Sequence, residues 1–146
     1  MSLPELTLNA PPLLDLVVSN ETDAIIGTAG LLNGCRDVID FAVCLEAVFD
    51  RQRINPPILG SGVALPHART PLVREIVCVA ARTAEPVPFG ADEKPVRLIF
   101  LFGIPPQRIS EYLAVTAALV KRLRQPEVIH GLLDAKTPDD FLRWLK

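Results

Sequence analysis

One histidine closes a segment whose residue types could bind and accept an anionic group. The segment from Gly60 to Arg69 reads GSGVALPHAR. Its two glycines allow positive φ and close approach of a ligand, and successive free amides in such a loop can form an anion-binding concavity. Residues 63–65 are strand-like, and Pro66 fixes φ immediately before His67. We therefore expect His67 to be held rigidly beside a loop that suits an anion.

The imidazole of His67 is suited to accept a phosphoryl group. Its free base is well populated near neutral pH, which makes it a good nucleophile. The phosphoryl group brings about two negative charges, which require fixed donors. Arg51 is the candidate donor because a guanidinium can meet two phosphate oxygens at once, and Arg53 and Arg69 are second choices. The alternative interpretation is that His67 is a partly buried packing residue that follows a strand.

Other site chemistries lack their sequence patterns. A G-x-S-x-G nucleophile turn would need glycine at positions 59 and 63, which are Leu59 and Val63. There is no Walker loop and no G-x-G-x-x-G after a predicted strand. A metal site would have to combine His67, His130 and distant cysteines or carboxylates without ligand spacing, so we expect no metal and no other cofactor. We interpret His130 as a surface or interface residue.

The elements that must position this segment can be predicted from apolar periodicity, prolines and caps. Helices are predicted at about 20–32, 36–52, 109–123 and 126–133 and from position 138 onward. Strands are predicted at 76–81 and 96–102, with a strand or an extended lead-in at 13–18 and a turn-rich connection at 86–95. Ser19 or Asn20, Ser110 and Thr137 are the expected N-caps. This order predicts an α/β fold, with helices covering a central sheet, in a single domain over residues 1–146.

Composition limits the class of protein. The chain has 146 residues, of which 49% are hydrophobic and 22% are charged, as is typical of a folded domain rather than a disordered segment. The formal net charge is −2 and no basic face is evident, so we expect no nucleic-acid partner. No apolar run approaches the roughly 20 residues that span a bilayer. The three cysteines, all in apolar segments and without C-x-x-C spacing, indicate reduced, buried thiols of a cytoplasmic protein.

The pattern G-x-G-V-A-L-P-H-A-R-T, which ends at Thr70, resembles the active-site segment of the enzyme IIA domains of the phosphotransferase system, in their fructose, mannitol and nitrogen-regulatory class. In that family the histidine is the phosphorylation site, and an arginine at the end of the preceding helix lines the phosphoryl pocket. These roles correspond to His67 and Arg51. Similar blocks at 85–91, 94–96, 98–102, 119–123 and 135–137 extend the resemblance from about Leu13 to the C-terminus. It implies a mixed sheet flanked by helices on both faces, an α/β/α sandwich.

The chain departs from the family pattern at two places. Tyr112 occupies the position where the family commonly has a second histidine, and a tyrosine can donate one hydrogen bond but adds no positive charge. The tripeptide 55–57, Asn-Pro-Pro, replaces a segment that usually contains serine or threonine, which leaves Asn55 and Ser61 as polar donors. We expect the phosphoryl group to be bound by Arg51, Ser61, Gly62 and Tyr112.

The resemblance implies a phosphocarrier. His67 would accept a phosphoryl group from a histidine phosphocarrier protein and pass it to a cysteine of a IIB domain in sugar uptake, or use it for regulation. Such a chain would be a phosphotransferase component with a phosphohistidine intermediate. The alternatives are a regulatory or binding module that controls a transporter or kinase with little or no transfer, an inert descendant that binds a small anion, and, most distantly, a metal hydrolase. Direct insertion into a membrane is not expected.

Overall fold

The structure, a computed structural model, describes residues 6–146. The first five residues of the domain expected over residues 1–146 therefore lie outside the described part. Six strands of the described part form one sheet: β1 (Leu13–Leu16), β2 (Ile58–Leu59), β3 (Val63–Ala64), β4 (His67–Arg69), β5 (Val77–Phe89) and β6 (Lys94–Ile104). Their order is β1-β5-β6-β3-β2, and β4 also pairs with β6.

The sheet is mixed, with the apolar strand β6 near its centre. β5 pairs antiparallel with β6, whereas β3 and β4 both pair parallel with it. Side chains of β6 alternate between two cores, because successive residues of a strand point to opposite faces. Leu98, Phe100 and Phe102 belong to one core, and Ile99 and Leu101 belong to the other.

Within residues 6–146, five α-helices cover the two faces. They are α1 (Glu21–Ala29), α2 (Phe41–Ile54), α3 (Ile109–Leu123), α4 (Pro126–Asp134) and α5 (Pro138–Arg143). Buried residues of α1 and α2 line one core, and those of α3, α4 and α5 line the other. The expected mixed sheet with helices on both faces is therefore confirmed. Within residues 6–146, no helix is long and apolar enough to cross a membrane.

Several predicted helix ends are confirmed by their caps. The Asn20 side chain accepts a hydrogen bond from the Asp23 amide at the start of α1, and Thr137 accepts from the Asp140 amide at the start of α5. Ser110, by contrast, lies inside α3 rather than at its cap. That helix follows a short 3-10 turn and has no side-chain cap. All three cysteines are free thiols, as predicted, although Cys35 is only half-buried.

The predicted start of the second helix is wrong by about five residues. The segment before α2 is extended: Val38 bridges Val73, and the Ile39 amide donates to the Leu72 carbonyl at 2.8 Å. These contacts compete with helical backbone bonds. Asp40 then caps α2 by accepting from the Val43 amide.

The connection predicted at 86–95 is mostly strand. β5 continues to Phe89 and β6 starts at Lys94, so only a tight turn separates them. Val87 and Phe89 are fully buried. The prolines of this stretch are compatible with a strand for two reasons. β5 pairs with β1 only as far as Thr83, so no β1 partner needs an amide beyond that residue. Pro88 lies opposite Pro95 of β6, and neither residue has an amide to donate.

Candidate functional site

His67 opens strand β4, opposite Phe102 of β6. The amide of Phe102 donates to the Pro66 carbonyl at 2.9 Å, which fixes the backbone immediately before the histidine. The ring is half-buried, and its Nδ1 atom lies 3.0 Å from the carbonyl oxygen of Leu65. Because a carbonyl oxygen can only accept, Nδ1 is the protonated nitrogen of the neutral ring. The lone pair is then on Nε2.

The surroundings of His67 favour its neutral form. Burial lowers the pKa of the imidazole below its ordinary value of 6.5, the hydrogen bond to the Leu65 carbonyl opposes this shift, and the positive charge of Arg51 adds to the lowering. The net direction is downward. At neutral pH the ring is therefore a free base with an available nucleophilic nitrogen.

Arg51 lies in the last turn of α2, close enough for its charge to lower the pKa of both His67 and Tyr112. Its Nη1 donates to the carbonyl oxygen of Asn55 at 2.8 Å, four residues further along the chain. That bond uses one end of the guanidinium and leaves other N–H groups available for an anion. The structure thus places the charge of Arg51 within reach of the His67 ring, and binding of the phosphoryl group by Arg51 stays a prediction.

Tyr112, on the first turns of α3, lies against His67. The two ring centroids are 5.6 Å apart, and Tyr112 also packs edge-on against Phe102 at 5.3 Å. Only 7% of the residue is exposed. Burial is the main cause that raises the pKa of the Tyr112 hydroxyl to about 12, and nearby Cys78 contributes. The phenol therefore stays protonated and can act as a hydrogen-bond donor beside His67.

His67 and Tyr112 open onto a surface groove of about 740 Å³. One wall is the face of α3 that continues from Tyr112, and the groove's other edge includes Pro57. The complete lining is Pro57, Leu65, His67, Tyr112, Leu113, Thr116, Ala117, Val120, Lys121 and Arg124. The residues of α3 beyond Tyr112 were not predicted as site residues. Starting at Tyr112, they follow one another at alternating intervals of one and three positions, which places them on one face of the helix and is the signal that could have identified them.

Ser61 and Gly62 do not share this groove with His67. They form a 3-10 turn before β3, and a Cβ on Gly62 would lie 3.2 Å from the backbone oxygen of Pro95, at the start of β6. β3 and β4 keep a constant register along β6, with Val63 opposite Leu98 and His67 opposite Phe102. At about 3.3 Å per residue, Gly62 is roughly 16 Å from His67 along the strand. This separation sets the glycine turn apart from the histidine.

The other expected donors occupy different positions. The chain at 55–57 runs beside the histidine segment, since the Leu65 amide donates to the Pro57 carbonyl at 2.8 Å. Arg53 is exposed and forms an ion pair with Asp50 at 2.6 Å. Arg69 is exposed at the end of β4, two residues beyond His67. Of these arginines, Arg51 is the one whose charge lowers the pKa of the His67 ring.

The mixed sheet flanked by helices and the half-buried histidine at its strand end together define a class of protein. Comparison with known families identifies that class. Residues 13–146 match the family described as the phosphoenolpyruvate-dependent sugar phosphotransferase system, EIIA 2. The chain belongs to this family.

Individual relatives agree with the assignment. A nitrogen regulatory protein homolog of Haemophilus influenzae is 33% identical over 101 residues, which make up 67% of this chain and 62% of that relative. The match therefore spans less than two thirds of the relative's length. The crystal structure of nitrogen regulatory protein IIA-Ntr from Neisseria meningitidis is 28% identical and superposes with a TM-score of 0.85, covering 93% of each chain.

A more distant structure shares the fold. In a solved complex of enzyme IIA mannitol and phosphorylated enzyme IIB mannitol from Escherichia coli, the matching chain is 24% identical. The TM-score is 0.79, with 92% of this chain and 93% of that chain covered.

Proposed function

We propose that this protein is a phosphocarrier that accepts a phosphoryl group on Nε2 of His67. The observation that most directly supports the proposal is the hydrogen bond from Nδ1 to the Leu65 carbonyl, which leaves Nε2 with the lone pair. The lowered pKa of the ring keeps that nitrogen unprotonated near neutral pH. Arg51 and the hydroxyl of Tyr112 are the donors that hold the phosphoryl oxygens.

Transfer to His67 is an in-line displacement. The Nε2 lone pair attacks the phosphorus of a donor phosphohistidine, a new N–P bond forms, and the electron pair of the old N–P bond returns to the donor imidazole. Charge on the three equatorial oxygens is stabilised mainly by positioned donors, so catalysis consists of orientation and electrostatics. The Nδ1–H bond to Leu65 stabilises the charge that develops on the ring during attack.

The donor is a histidine phosphocarrier protein, and the acceptor is a cysteine on a IIB domain. In the second transfer a thiolate attacks the same phosphorus, and the electron pair returns to Nε2 of His67. A solved complex of IIA mannitol with phosphorylated IIB mannitol supports a IIB partner for a chain of the same fold. Both partners would meet the chain in the cytoplasm, at the groove beside His67.

A regulatory role is the second candidate. The relative from Haemophilus influenzae and the solved structure from Neisseria meningitidis are both nitrogen regulatory proteins. Tyr112 stands where the family commonly has a second histidine, and its hydroxyl stays neutral because its pKa is raised. Since it adds no positive charge beside the phosphoryl group, it favours a carrier with slower phosphoryl transfer. In this version His67 is phosphorylated, and the phosphorylation state controls binding to a transporter or kinase.

The test is phosphorylation with phosphoenolpyruvate, enzyme I and the histidine phosphocarrier, followed by intact mass measurement. The chain has two histidines, so His130→Ala is a matched control for His67→Ala. We expect one acid-labile phosphoryl group on the wild type and on His130→Ala, and none on His67→Ala. An unlabelled wild type beside a IIA domain that does react would contradict the proposal. Addition of a IIB domain then separates the two roles, because only the sugar-uptake role predicts loss of the label to its cysteine.

A further inference from the structure

A cavity separate from the groove at His67 lies at the C-terminal end of α2. Its volume is about 510 Å³, and it shares Glu21, Gln52 and Arg53 with a smaller cavity of about 320 Å³. In the described part of the chain, no residue that lines the groove at His67 also lines either of these cavities. The cavity at the end of α2 is therefore a concave site of its own.

Gln52 gives this cavity an amide that has no partner. The residue is 4% exposed, and in the structure of residues 6–146 neither its Oε1 nor its Nε2 forms a hydrogen bond. The large majority of buried polar side chains are bonded, so an unpaired amide in the wall of a cavity suggests a group reserved for a ligand. A carboxamide presents an acceptor and two donors side by side, and it is complementary to a ligand that presents the same groups in the opposite order.

The Gln52 amide is free to turn toward a ligand. Both of its polar atoms are buried, so contact with a ligand requires rotation of the side chain into the cavity. Because the amide has no hydrogen bond in the structure, this rotation breaks none within the protein. A bound amide would instead satisfy two polar atoms that are costly to leave unpaired.

The larger cavity also carries free charges of both signs. Asp92 and Lys94, on the tight turn between β5 and β6, line it and are exposed, and among the described residues neither forms an ion pair. Glu21 and Arg53 add one charge of each sign, although both already bond to other groups. A lining with equal numbers of acidic and basic groups is complementary to a zwitterion rather than to an anion or a cation.

We propose that this cavity binds a free amino acid whose side chain ends in a carboxamide. The ligand's carbonyl accepts from Nε2 of Gln52, and its amide N–H donates to Oε1. Its ammonium group lies toward Asp92 and its carboxylate toward Lys94. Pro56 and Ile58 supply apolar wall, as in small-molecule sites where a few polar groups set the orientation. This inference does not depend on phosphoryl transfer at His67.

NMR titration of the unphosphorylated protein with four amino acids tests the proposal. Glutamine and asparagine carry the carboxamide, glutamate carries a carboxylate that can only accept, and methionine has neither group. We expect saturable shifts of the backbone signals of residues 52–56 and 90–94 with glutamine or asparagine. Glutamate and methionine should bind about tenfold more weakly, because each lacks at least one of the two hydrogen bonds.

Variants of Gln52 identify the amide as the cause. Gln52→Leu should weaken binding of the carboxamide amino acid about tenfold, and the dispersion of its NMR spectrum shows whether the variant is folded. The matched control is Gln107→Leu, the same substitution at an exposed position outside both cavities, which should leave the affinity unchanged.

A second pair of variants tests the charges. Asp92→Asn with Lys94→Gln keeps the net charge of the chain and should weaken binding, since both zwitterion contacts are lost. Asp139→Asn with Lys136→Gln makes the same exchange at two exposed positions outside the cavity and should not. Absence of saturable binding of both glutamine and asparagine, equal binding of glutamate or methionine, or unchanged affinity in folded Gln52→Leu would overturn the proposal.

Discussion

The Nδ1 atom of His67 lies 3.0 Å from the carbonyl oxygen of Leu65, two residues earlier in the same extended segment. The backbone itself therefore selects the nucleophilic nitrogen, since the bonded nitrogen must carry the proton. The segment cannot easily shift, because Pro66 and Leu65 are both tied by backbone hydrogen bonds to neighbouring strands or loops. This rigidity matters for phosphoryl transfer, in which most of the rate comes from orientation.

The first prediction concerns pH. Burial and Arg51 lower the pKa of His67, so the neutral nucleophile should persist below the ordinary value of 6.5. Phosphoramidate is a small phosphoryl donor that needs no protein partner. The rate at which it labels His67 should therefore change little between pH 8 and about 6.5, apart from the effect of titration of phosphoramidate itself, and should fall only at lower pH. NMR titration of His130→Ala, which leaves a single imidazole signal, measures the midpoint directly. A midpoint above 6.5 would contradict the prediction.

Replacement of Arg51 should affect both the pKa and the transfer rate. In Arg51→Gln the loss of positive charge should raise the pKa of His67, because that charge lowers it in the wild type. Phosphoryl acceptance should slow by about 100-fold, the usual scale for removal of one donor to a transition state. The rate of acceptance by Arg51→Lys should lie between those of the wild type and Arg51→Gln, because lysine keeps the charge but not the two-pronged geometry of the guanidinium.

Arg53→Gln is the matched control for Arg51→Gln. It removes the same charge two residues away, from an exposed side chain paired with Asp50. NMR titration and timed labelling of both variants complete the experiment. If Arg53→Gln slows acceptance as much as Arg51→Gln does, Arg51 has no special role at the site.

Tyr112 should contribute through its hydroxyl. Tyr112→Phe keeps the ring that packs against His67 and Phe102 but removes the donor. We expect labelling to slow by roughly 10-fold with little change in thermal stability, as for loss of one hydrogen bond to a charged group. Timed labelling and calorimetry test this together. An unchanged rate in Tyr112→Phe would mean that the residue only fills space.

The ends of several elements could be predicted because their causes are local. Asn20 and Thr137 cap α1 and α5 through bonds that reach only three residues along the chain. The run 98–102 could be assigned to a buried strand because its continuous apolar pattern is also local. In the structure every residue of this run is buried. The resemblance to IIA domains added the sheet's mixed topology, which no local pattern specifies.

Other features depended on long-range contacts. The late start of α2 follows from pairing of residues 37–39 with residues 72–74, which are distant in sequence. The distance of Gly62 from His67 depends on how β3 and β4 align with β6. The two residues are close in sequence, and for that reason both were predicted to contribute to one site. Lys121 and Arg124 line the groove beside His67 because α3, which carries them, packs Tyr112 against His67.

The glycine turn should therefore matter for stability more than for chemistry. Gly62 has φ +77°, and a Cβ there would lie 3.2 Å from the Pro95 oxygen, so Gly62→Ala should lower the free energy of unfolding by about 1–2 kcal/mol. Gly60→Ala is the control: its φ is not positive, and no atom lies within 4 Å of its added Cβ. Denaturant unfolding measures both. Loss of phosphoramidate labelling in folded Gly62→Ala would instead assign the turn to the phosphoryl site.

A final prediction concerns Gln52, which follows Arg51 on α2. The residue is 4% exposed, and within residues 6–146 neither its Oε1 nor its Nε2 has a hydrogen-bond partner. Because an unpaired buried amide is costly, Gln52→Leu should raise the free energy of unfolding by about 1 kcal/mol and the Tm by about 3 °C. Gln52→Glu should lower both, since it buries a charge. Calorimetry distinguishes these outcomes, and a lower Tm for Gln52→Leu would mean that ordered water satisfies the carboxamide in solution.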